Sequence, residues 1–346
     1  MKILVTGDRG YVGSVMVPML LQKGHEVVGL DIGYFEDCIL EDCENDYEKN
    51  RKDIRDISAN DFIGKKFDAI IHLAGLSNDP LGELSPHLTE DINFHATIKL
   101  GKLAKKYGVK RFIYASTQSL YGLADLSSEL DEDKSIKNPM TSYAKTKWMS
   151  EQGLIKLEDK DFSVTFMRPS TVFGSSPRLR CDIVYNNFLA SGYTSGSIII
   201  KSDGTPWRPV VHIKDVCAAF IAVLDAPVNI ISGKAFNVGI PNGNFTVKDI
   251  ANAAQNSLSD CNIKFINENK NDERTYKVSF NRILNQLSDY YKPVWNLENG
   301  GKEIIDFFNK INFNTDQFLG KNCTRLNQLN FLKEKKIIDT NLRMNI

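Results

Sequence analysis

Tyr143 and Lys147 have the residue types and the spacing of an acid–base pair. They lie four residues apart in Tyr-Ala-Lys-Thr-Lys, so on a helix they share one face. An unperturbed tyrosine has a pKa of about 10, too high for a base at neutral pH, and a neighbouring ammonium group favours the phenolate. Such a pair is suited to taking a proton from an alcohol whose hydride leaves for a nicotinamide cofactor. An ordinary surface helix can show the same spacing, so the position of the pair in the fold matters.

Hydroxyl side chains follow a short apolar segment at Arg111 to Ala115, in the run Ser116-Thr117-Gln118-Ser119. Ligands bind beyond the carboxyl ends of parallel strands. Thr117 is therefore a candidate for hydrogen bonding to the reacting alcohol, and Ser116 for contacting the cofactor. A turn in which the hydroxyl caps the strand end explains either residue alone.

The first apolar segment runs directly into a glycine-rich loop, Gly7-Asp-Arg-Gly10-Tyr11-Val12-Gly13. GxxGxxG is a variant of the dinucleotide-binding fingerprint. We expect Gly7 to allow a tight turn, Gly10 to let the backbone approach a pyrophosphate, and Gly13 to let the next helix pack close to the sheet. The N–H groups at the start of that helix hold the phosphates. Tyr11 and Val12 belong to the same cofactor-binding loop.

Asp31 ends the second apolar segment, 18 residues after Gly13. An acidic residue about 20 residues after the glycines accepts hydrogen bonds from the adenosine ribose. A carboxylate there repels a 2′-phosphate, so NAD is favoured over NADP as the cofactor. A solvated aspartate at a strand end is the alternative explanation.

Short apolar runs alternate with amphipathic stretches over the first half of the chain, which is typical of buried parallel strands in βαβ units. The fold class is therefore α/β, a Rossmann-type doubly wound parallel sheet. Strands are predicted over Lys2–Thr6, Glu26–Asp31, Asp68–Leu73, Arg111–Ser116 and Ser163–Arg168, and helices over Tyr11–Lys23, Ile92–Tyr107 and Ser142–Glu158.

Beyond Arg168 the alternation of apolar strands and helices stops, and Pro, Gly, Ser and Arg are dense from Pro169 to Pro209. This change predicts a smaller, interleaved C-terminal substrate domain. We divide the chain into a NAD-binding domain at 1–168 with 207–230 returning to it, a substrate domain at 169–206 and 231–313, and a C-terminal helical extension at 314–346. The predicted elements are helices over Asp182–Ser191, Asp215–Leu224 and Asn244–Leu258, the last capped by Thr246, and strands over Ser197–Lys201 and Ala235–Val238.

Composition limits the classes of function. The chain has 346 residues with 43 basic and 43 acidic side chains, so its net charge is zero. This gives no electrostatic reason to expect nucleic acid or an anionic membrane as a partner. No apolar run is long enough to span a bilayer, and the start does not have the pattern of a signal peptide. The six cysteines form no CxxC and no zinc-ligand spacing, so we expect reduced thiols, no metal site and a cytoplasmic location.

Together the motifs resemble the extended short-chain dehydrogenase/reductase family, the NAD-dependent nucleotide-sugar epimerases and dehydratases. The matching segments follow the family order over most of the chain. They are Thr6–Gly13, Asp31, Lys52–Asp56, His72–Gly75, Asn93, Ser116–Gly122, Tyr143 with Lys147, Arg168–Pro169 and Trp207–Val216.

The resemblance implies roles for residues of the cofactor and catalytic sites. Tyr143 would be the base, Lys147 its partner and Thr117 the assisting hydroxyl. Asp53 and Ile54 would flank the adenine, with Asp53 accepting from its amino group. Asn93 would order helix packing or a water near the cofactor. The residues expected to line the pyrophosphate and nicotinamide ribose are Leu73, Ala74 and Gly75.

The resemblance also implies a nucleotide-diphosphate sugar as substrate. Arg208 matches a family arginine that pairs with the sugar nucleotide's diphosphate, since a guanidinium makes paired, charge-assisted bonds, and Arg274 matches another. Thr171 stands where many epimerases have an asparagine that touches the substrate phosphate. Arg178 and Arg180 are either diphosphate and sugar contacts or ordinary surface charge.

The reaction follows from a departure from the family pattern. Dehydratases of the family carry an Asp-Glu pair after the threonine, where this chain has Gln118-Ser119, and neither can protonate a leaving hydroxyl at neutral pH. We therefore expect a 4-epimerase that oxidises sugar C4 transiently. The alternatives are a C4 dehydrogenase that releases a keto-sugar, a 4,6-dehydratase, and a non-catalytic NAD-binding regulator. We also expect a homodimer through the helices at Ile92–Tyr107 and Ser142–Glu158.

Overall fold

The computed structural model describes residues 1–43, 45–123, 126–266 and 275–345. The strands in these ranges are β1 (Lys2–Thr6), β2 (Glu26–Asp31), β3 (Glu48–Arg51), β4 (Ala69–His72), β5 (Arg111–Ala115), β6 (Ser163–Pro169), β7 (Thr171–Phe173), β8 (Ser197–Ile200), β9 (Trp207–His212), β10 (Ala235–Val238), β11 (Asn244–Thr246) and β12 (Asn262–Phe265). The helices are α1 (Gly13–Gln22), α2 (Asp79–Glu83), α3 (Pro86–Glu90), α4 (Ala96–Lys106), α5 (Ser142–Leu154), α6 (Val184–Ser195), α7 (Ile213–Asp225), α8 (Val228–Ile231), α9 (Val247–Asn256), α10 (Asn281–Gln286), α11 (Leu297–Lys310), α12 (Thr315–Leu319) and α13 (Arg325–Glu334).

Seven strands of the described chain form one parallel sheet in the order β10-β6-β5-β4-β1-β2-β3. The order reverses between β1 and β4, which makes their carboxyl ends the topological switch point where ligands bind in such sheets. The predicted Rossmann-type parallel sheet is confirmed.

Helices cover both faces of this sheet and bury its apolar strands. One face packs with α1 and α7 through side chains such as Met16 and Phe220, and the other packs with α4 through Leu100. A π-helical turn at Asp91–His95 joins α3 to α4. The fully buried strand residues explain the continuous apolar runs seen in the sequence.

A second apolar core lies under α6, α9 and α11. It is flanked by a three-stranded sheet, β11-β9-β7, and by the parallel pair β12-β8. Tyr185 and Phe308 are among its fully buried aromatic side chains.

The C-terminal extension contains α12 and α13, as its helical spacing predicts, and α13 packs onto the central sheet. Leu329 and Leu332 of α13 belong to the same core as α4, together with Ile338 and Leu342 beyond the helix. Phe318 of α12 and Cys323 pack in the second core, so the extension is an arm that contacts both cores.

Three predictions about elements need correction. Ala235–Val238, assigned to the substrate domain, pairs with β6 at the edge of the central sheet. Asn244–Thr246 is strand β11, and the helix begins only after Thr246, whose side chain caps it as predicted. Strand β3 was missed because Glu-Lys-Asn-Arg at a sheet edge has no apolar run. The division into domains remains a prediction.

No helix in the described ranges is both long and apolar enough to cross a membrane. All six cysteines are free thiols. Among the described residues, no cluster of three or more His, Cys, Asp or Glu side chains is placed to hold a metal ion.

Candidate active site

A cavity of about 740 Å³ opens at the carboxyl ends of β1, β4 and β5. It joins the glycine-rich loop to the predicted catalytic residues and extends to the second apolar core. The sequence-predicted residues on its wall are Gly7, Gly10, Tyr11, Val12, Gly13, Asp31, Asp53, Ile54, Leu73, Ala74, Gly75, Ser116, Thr117, Tyr143, Lys147, Thr171, Arg180 and Arg208.

The glycine loop is too tight for side chains at two positions. Gly7 has φ +75°, and a Cβ there would lie 2.8 Å from the amide nitrogen of Ala74, so its predicted turn role fits. A Cβ on Gly13 would lie 2.1 Å from the carbonyl oxygen of Gly7. The start of α1 therefore packs directly against the backbone that follows β1, which agrees with the close packing expected at Gly13.

Tyr11 links the loop to the second core. Its hydroxyl donates to the carbonyl of Gly174 at 2.8 Å and accepts from Asn186 at 3.2 Å. The Tyr11 hydroxyl is therefore used within the protein, and any contact with the cofactor falls to its ring or backbone.

Asp31 lies on the cavity wall at the end of β2, where its Oδ1 accepts from the Gly33 amide at 2.7 Å. Burial raises the pKa of its carboxyl, while the Gly33 bond and the guanidinium groups of Arg9 and Arg178 oppose the rise. The ribose role stays a prediction that fits this position.

Asp53 is less free than expected. Its oxygens accept from the Arg55 amide at 2.8 Å and from the Arg55 guanidinium at 2.6 to 3.0 Å, and Arg343 adds a third contact at 3.1 Å. Any bond to the adenine amino group has to compete with these two arginines.

The loop after β4 is held by Asn93. Its Oδ1 accepts from the Leu76 amide at 2.8 Å and its Nδ2 donates to the Leu76 carbonyl at 3.1 Å. A Cβ on Gly75 would lie 2.8 Å from the same Oδ1. Asn93 therefore positions the segment Leu73–Gly75 that lines the cavity, in agreement with its expected packing role.

Helix α5 presents Tyr143 in its first turn and Lys147 one turn later. The helix begins at Ser142 because the hydroxyl of Thr141 accepts from the Ala144 amide at 3.2 Å. Gly82 of α2 packs so closely that a Cβ there would lie 2.9 Å from the Cβ of Tyr143. The Tyr143 side chain is thereby held between two helices and the cavity.

Thr117 and Tyr143 line the same cavity, and the nearby Thr117 hydroxyl lowers the pKa of Tyr143. Burial acts in the opposite direction and is the larger effect, raising that pKa to about 12. Thr117 also accepts from the Ser119 amide at 3.1 Å, so the capping turn and the site contact occur together.

Lys147, the predicted partner of Tyr143, is anchored to the backbone of β5, and its effect on Tyr143 stays a prediction. Its Nζ donates to the carbonyl of Ala115 at 2.6 Å and lies 6.0 Å from the centroid of the Tyr143 ring. Burial lowers the pKa of Lys147 to about 7, against a smaller opposite effect of Glu151. The lysine is anchored to the end of β5, and its charge at neutral pH is sensitive to what binds nearby.

Glu151 organises a buried polar network behind the catalytic residues. It pairs with Arg168 through two bonds of 2.9 and 2.6 Å and accepts from the hydroxyl of Ser116. Gln118, also buried, donates to the Arg168 carbonyl at 3.0 Å. The Ser116 hydroxyl is therefore directed to Glu151, which restricts its predicted contact with the cofactor.

The predicted substrate arginines separate into three groups. Arg180 and Arg208 line the cavity, and Arg180 also forms two bonds with Asp182 at 2.9 and 3.1 Å. Arg178 is not part of the wall. Its Nε donates to the Arg9 carbonyl at 2.7 Å, because its segment folds back onto the glycine loop. Arg274 lies outside the described residues.

Comparison with known proteins identifies the family. A sequence model of the NAD dependent epimerase/dehydratase family matches residues 3–239. This chain belongs to that family. It is a NAD-dependent nucleotide-sugar enzyme of the extended short-chain dehydrogenase/reductase type.

Relatives and solved structures agree with this family and differ in reaction. The chain is 30% identical over 269 residues to a UDP-glucose 4-epimerase of Bacillus subtilis, covering 70% of this chain and 78% of that protein. Its fold matches the UDP-glucose 4-epimerase of Thermotoga maritima with UDP-glucose, with a TM-score of 0.77, 23% identity, and coverage of 90% and 100%. It also matches a dTDP-glucose 4,6-dehydratase of Streptomyces venezuelae with NAD bound, with a TM-score of 0.75, 23% identity, and coverage of 90% and 97%.

The site of this epimerase/dehydratase family member fits NAD. The glycine loop leaves no room for a Cβ at Gly7 or Gly13, which keeps its backbone open to a pyrophosphate. Asp31 lies at the end of β2 beside it, and Lys147 and Tyr143 line the same cavity. These residues would hold the cofactor along the switch point of the sheet.

Sequence reasoning missed several polar residues on the cavity wall of this nucleotide-sugar enzyme. Ser77, Asn78 and Asp79 follow β4, and a polar cluster after a parallel strand was a usable signal. Asp182 follows the arginines, and Arg325 comes from the C-terminal extension. Nothing local in the sequence indicates Arg325, because 147 residues separate it from its hydrogen-bond partner Arg178.

Proposed function

We propose that this chain is a nucleotide-sugar 4-epimerase. The observation that carries the proposal is that Thr117 and Tyr143 line one cavity together with the glycine loop. The next two side chains, Gln118 and Ser119, are neutral. This set can move one proton on and off a sugar hydroxyl, which is all that transient oxidation at C4 requires.

The residues divide the reaction between them. When bound, NAD accepts a hydride from sugar C4 and later returns it. Burial raises the pKa of Tyr143 to about 12, so the phenol must lose its proton in the complex before it can act. Once ionised, Tyr143 would take the proton of the C4 hydroxyl as the carbonyl forms, and it would give that proton back in the reverse step. Thr117, on the same cavity wall, would hydrogen bond to the same oxygen. Arg208 and Arg180, both on the cavity wall, are placed to bind the diphosphate and the sugar.

The test is to incubate the purified protein with UDP-glucose, UDP-galactose, UDP-glucuronate and dTDP-glucose and to analyse products by NMR and mass spectrometry. A product of unchanged mass that differs only at C4 supports the proposal. An accumulating ketone with reduced cofactor would instead identify a dehydrogenase. The Tyr143→Phe variant is the control for turnover by contaminating enzymes.

A dehydratase is the second candidate, because of Asp79. This carboxylate lines the cavity and raises the pKa of Tyr143, so it supplies an acidic group that the sequence around Thr117 lacks. Asp182 also lines the cavity. The charges of Arg180 and Arg325 outweigh the effect of burial and lower its pKa, so Asp182 is ionised and cannot act as the acid. A product lighter by one water, lost in Asp79→Asn, would establish elimination and overturn the epimerase proposal.

A further inference from the structure

The C-terminal extension contributes one buried arginine to the cofactor cavity. Arg325 is 2% exposed and lines the cavity wall. Its guanidinium lies over the ring of Phe35, 4.6 Å from the centroid, and its Nη2 donates to the carbonyl of Arg178 at 2.6 Å. Phe35 comes four residues after Asp31, so Arg325 reaches the part of the cavity next to the predicted ribose site.

Two buried arginines, Arg325 and Arg178, lie here, and neither forms an ion pair within 4 Å among the described residues. Arg325 bonds only to the carbonyls of Asn322 and Arg178, and the Nη1 of Arg178 is buried without a hydrogen-bond partner in the described chain. Asp182, the nearby carboxylate, is already paired with Arg180. Burial and the charge of Arg180 lower the pKa of Arg325. Asp31 and Asp182 interact with Arg178 and Arg325 electrostatically but make no direct ion pair with them. A buried charge without a direct partner is costly, and a bound anion relieves that cost.

The position of these groups indicates which anion they meet. Arg325 bonds to the Arg178 carbonyl, and Arg178 in turn donates to the carbonyl of Arg9 at 2.7 Å. Arg9 is part of the glycine loop, where the diphosphate of a dinucleotide binds. Two hydrogen bonds therefore connect the extension to the phosphate-binding turn.

The rest of the extension is fastened to the adenine end of the site. Arg55 donates to the carbonyls of Asn341 and Leu342 at 2.8 and 3.2 Å. The hydroxyl of Tyr34, a cavity residue, donates to the same Leu342 carbonyl. Arg343 pairs with Asp53 at 3.1 Å. The segment 321–345 thus lies across the elements that flank the adenosine.

We propose that Arg325 binds the diphosphate of NAD and that the C-terminal extension closes over the adenosine half of the cofactor. The proposal rests on the NAD cofactor and not on the 4-epimerase reaction, so the two can fail separately. It predicts a cofactor that is retained between turnovers.

The first test compares ligands with and without a diphosphate on the apoprotein. In Arg325→Gln, NAD and ADP-ribose should bind roughly 10- to 100-fold more weakly, the effect of losing a charge-assisted bond, while adenosine binding by NMR titration is unchanged. Arg325→Lys should lose less affinity for NAD and ADP-ribose, since the lysine keeps the positive charge. Lys335→Gln, which removes the same charge from an exposed site just after α13, is the matched control. An equal loss of affinity for NAD, ADP-ribose and adenosine in Arg325→Gln would overturn the proposal. It would mean that Arg325 only holds the extension in place.

A second arm distinguishes the two diphosphates that enter this cavity. With NAD saturating, the affinity of Arg325→Gln for UDP should equal that of the unchanged protein. A loss confined to UDP, with NAD binding intact, would assign Arg325 to the substrate and refute the cofactor assignment.

A measurement on the unmodified protein covers the case in which Arg325→Gln does not fold. Hydrogen–deuterium exchange of residues 321–345 should slow when ADP-ribose is added to the apoprotein, and adenosine alone should protect residues 321–330 less. Exchange in this segment that is insensitive to ADP-ribose would show that the extension does not respond to the cofactor, and the proposal would be wrong.

Discussion

At the scale of single residues, the site is governed by burial more than by the charge of neighbouring side chains. Burial raises the pKa of Tyr143 to about 12 and lowers that of Lys147 to about 7. The usual idea of a lysine that activates a tyrosine depends on a charged lysine. In this chain the lysine charge is itself weakened by its surroundings, so a bound ligand must help to set both protonation states.

Tyr143→Phe should abolish turnover and leave NAD binding intact. The change removes the proposed proton acceptor and keeps the ring, so the rate should fall about 10²–10⁴-fold. NMR product assays and NAD titration check the two parts. Tyr107→Phe is the matched control, because the Tyr107 ring stacks on Phe62 outside the cavity wall. Near-normal activity in Tyr143→Phe would exclude the proposed chemistry.

Lys147→Met should alter how the stability of the apoprotein depends on pH. The folded-state pKa of about 7 lies below the ordinary value of 10.5, so between these pH values the unfolded chain binds more protons. The free energy of unfolding therefore rises with pH in this window, by up to about 1.4 kcal/mol per pH unit from this group. Urea titrations from pH 7 to 10 should show this slope reduced in Lys147→Met. Identical slopes in both proteins would mean that Lys147 keeps an ordinary pKa.

At the scale of elements, the site depends on close approach of backbone segments. The turn between β1 and α1 is tight because Gly7 takes a positive φ and Gly13 faces the Gly7 carbonyl. Helices α2 and α5 meet at Gly82 and Tyr143, which locks the first turn of α5. Small residues at these contacts bring the sheet, the loop and α5 to one cavity.

Gly13→Ala should lose NAD binding and destabilise the fold. The added Cβ would lie 2.1 Å from the Gly7 carbonyl oxygen, so the loop must shift, at a cost of about 1–3 kcal/mol. Gly24→Ala is the control, since it has φ +77° and no atoms within 4 Å. It should cost roughly 1–2 kcal/mol through backbone strain and leave NAD affinity unchanged. Unaltered NAD affinity in Gly13→Ala would contradict this account of the loop.

At the scale of the whole molecule, one sheet, a second core and an arm from the chain end all meet at the cofactor cavity. Tyr11 ties the glycine loop to Gly174 of the second core, and Arg325 brings the arm to the same loop. Enclosure of the cofactor by these three parts would suit the proposed epimerase, which regenerates NAD within each turnover.

We expect a homodimer formed through α4 and α5. Leu100 is fully buried inside the subunit, whereas Ile98 and Leu103 on α4 remain partly exposed, and a second copy would cover them. Light scattering at micromolar concentration should give twice the chain mass. Leu103→Glu should yield monomers. Ile136→Glu is the control, because it places the same charge at an exposed apolar residue outside α4 and α5, and it should leave the dimer intact. A monomeric unmodified protein would refute this expectation.

The sequence by itself predicted six of the seven strands of the central sheet, the glycine loop and the candidate catalytic residues, because each is encoded locally. Buried strands need apolar runs, the turn needs glycines at Gly7 and Gly13, and a helix brings Tyr143 and Lys147 to one face. Only the tertiary structure decided which polar groups are left for ligands. In the folded chain, Asp53 pairs with Arg55 and Arg343. Arg178 bonds to the glycine loop outside the cavity wall, and Arg325 lines the cavity. These outcomes depend on contacts between segments far apart in the chain, and no local pattern of residue types records where such segments meet.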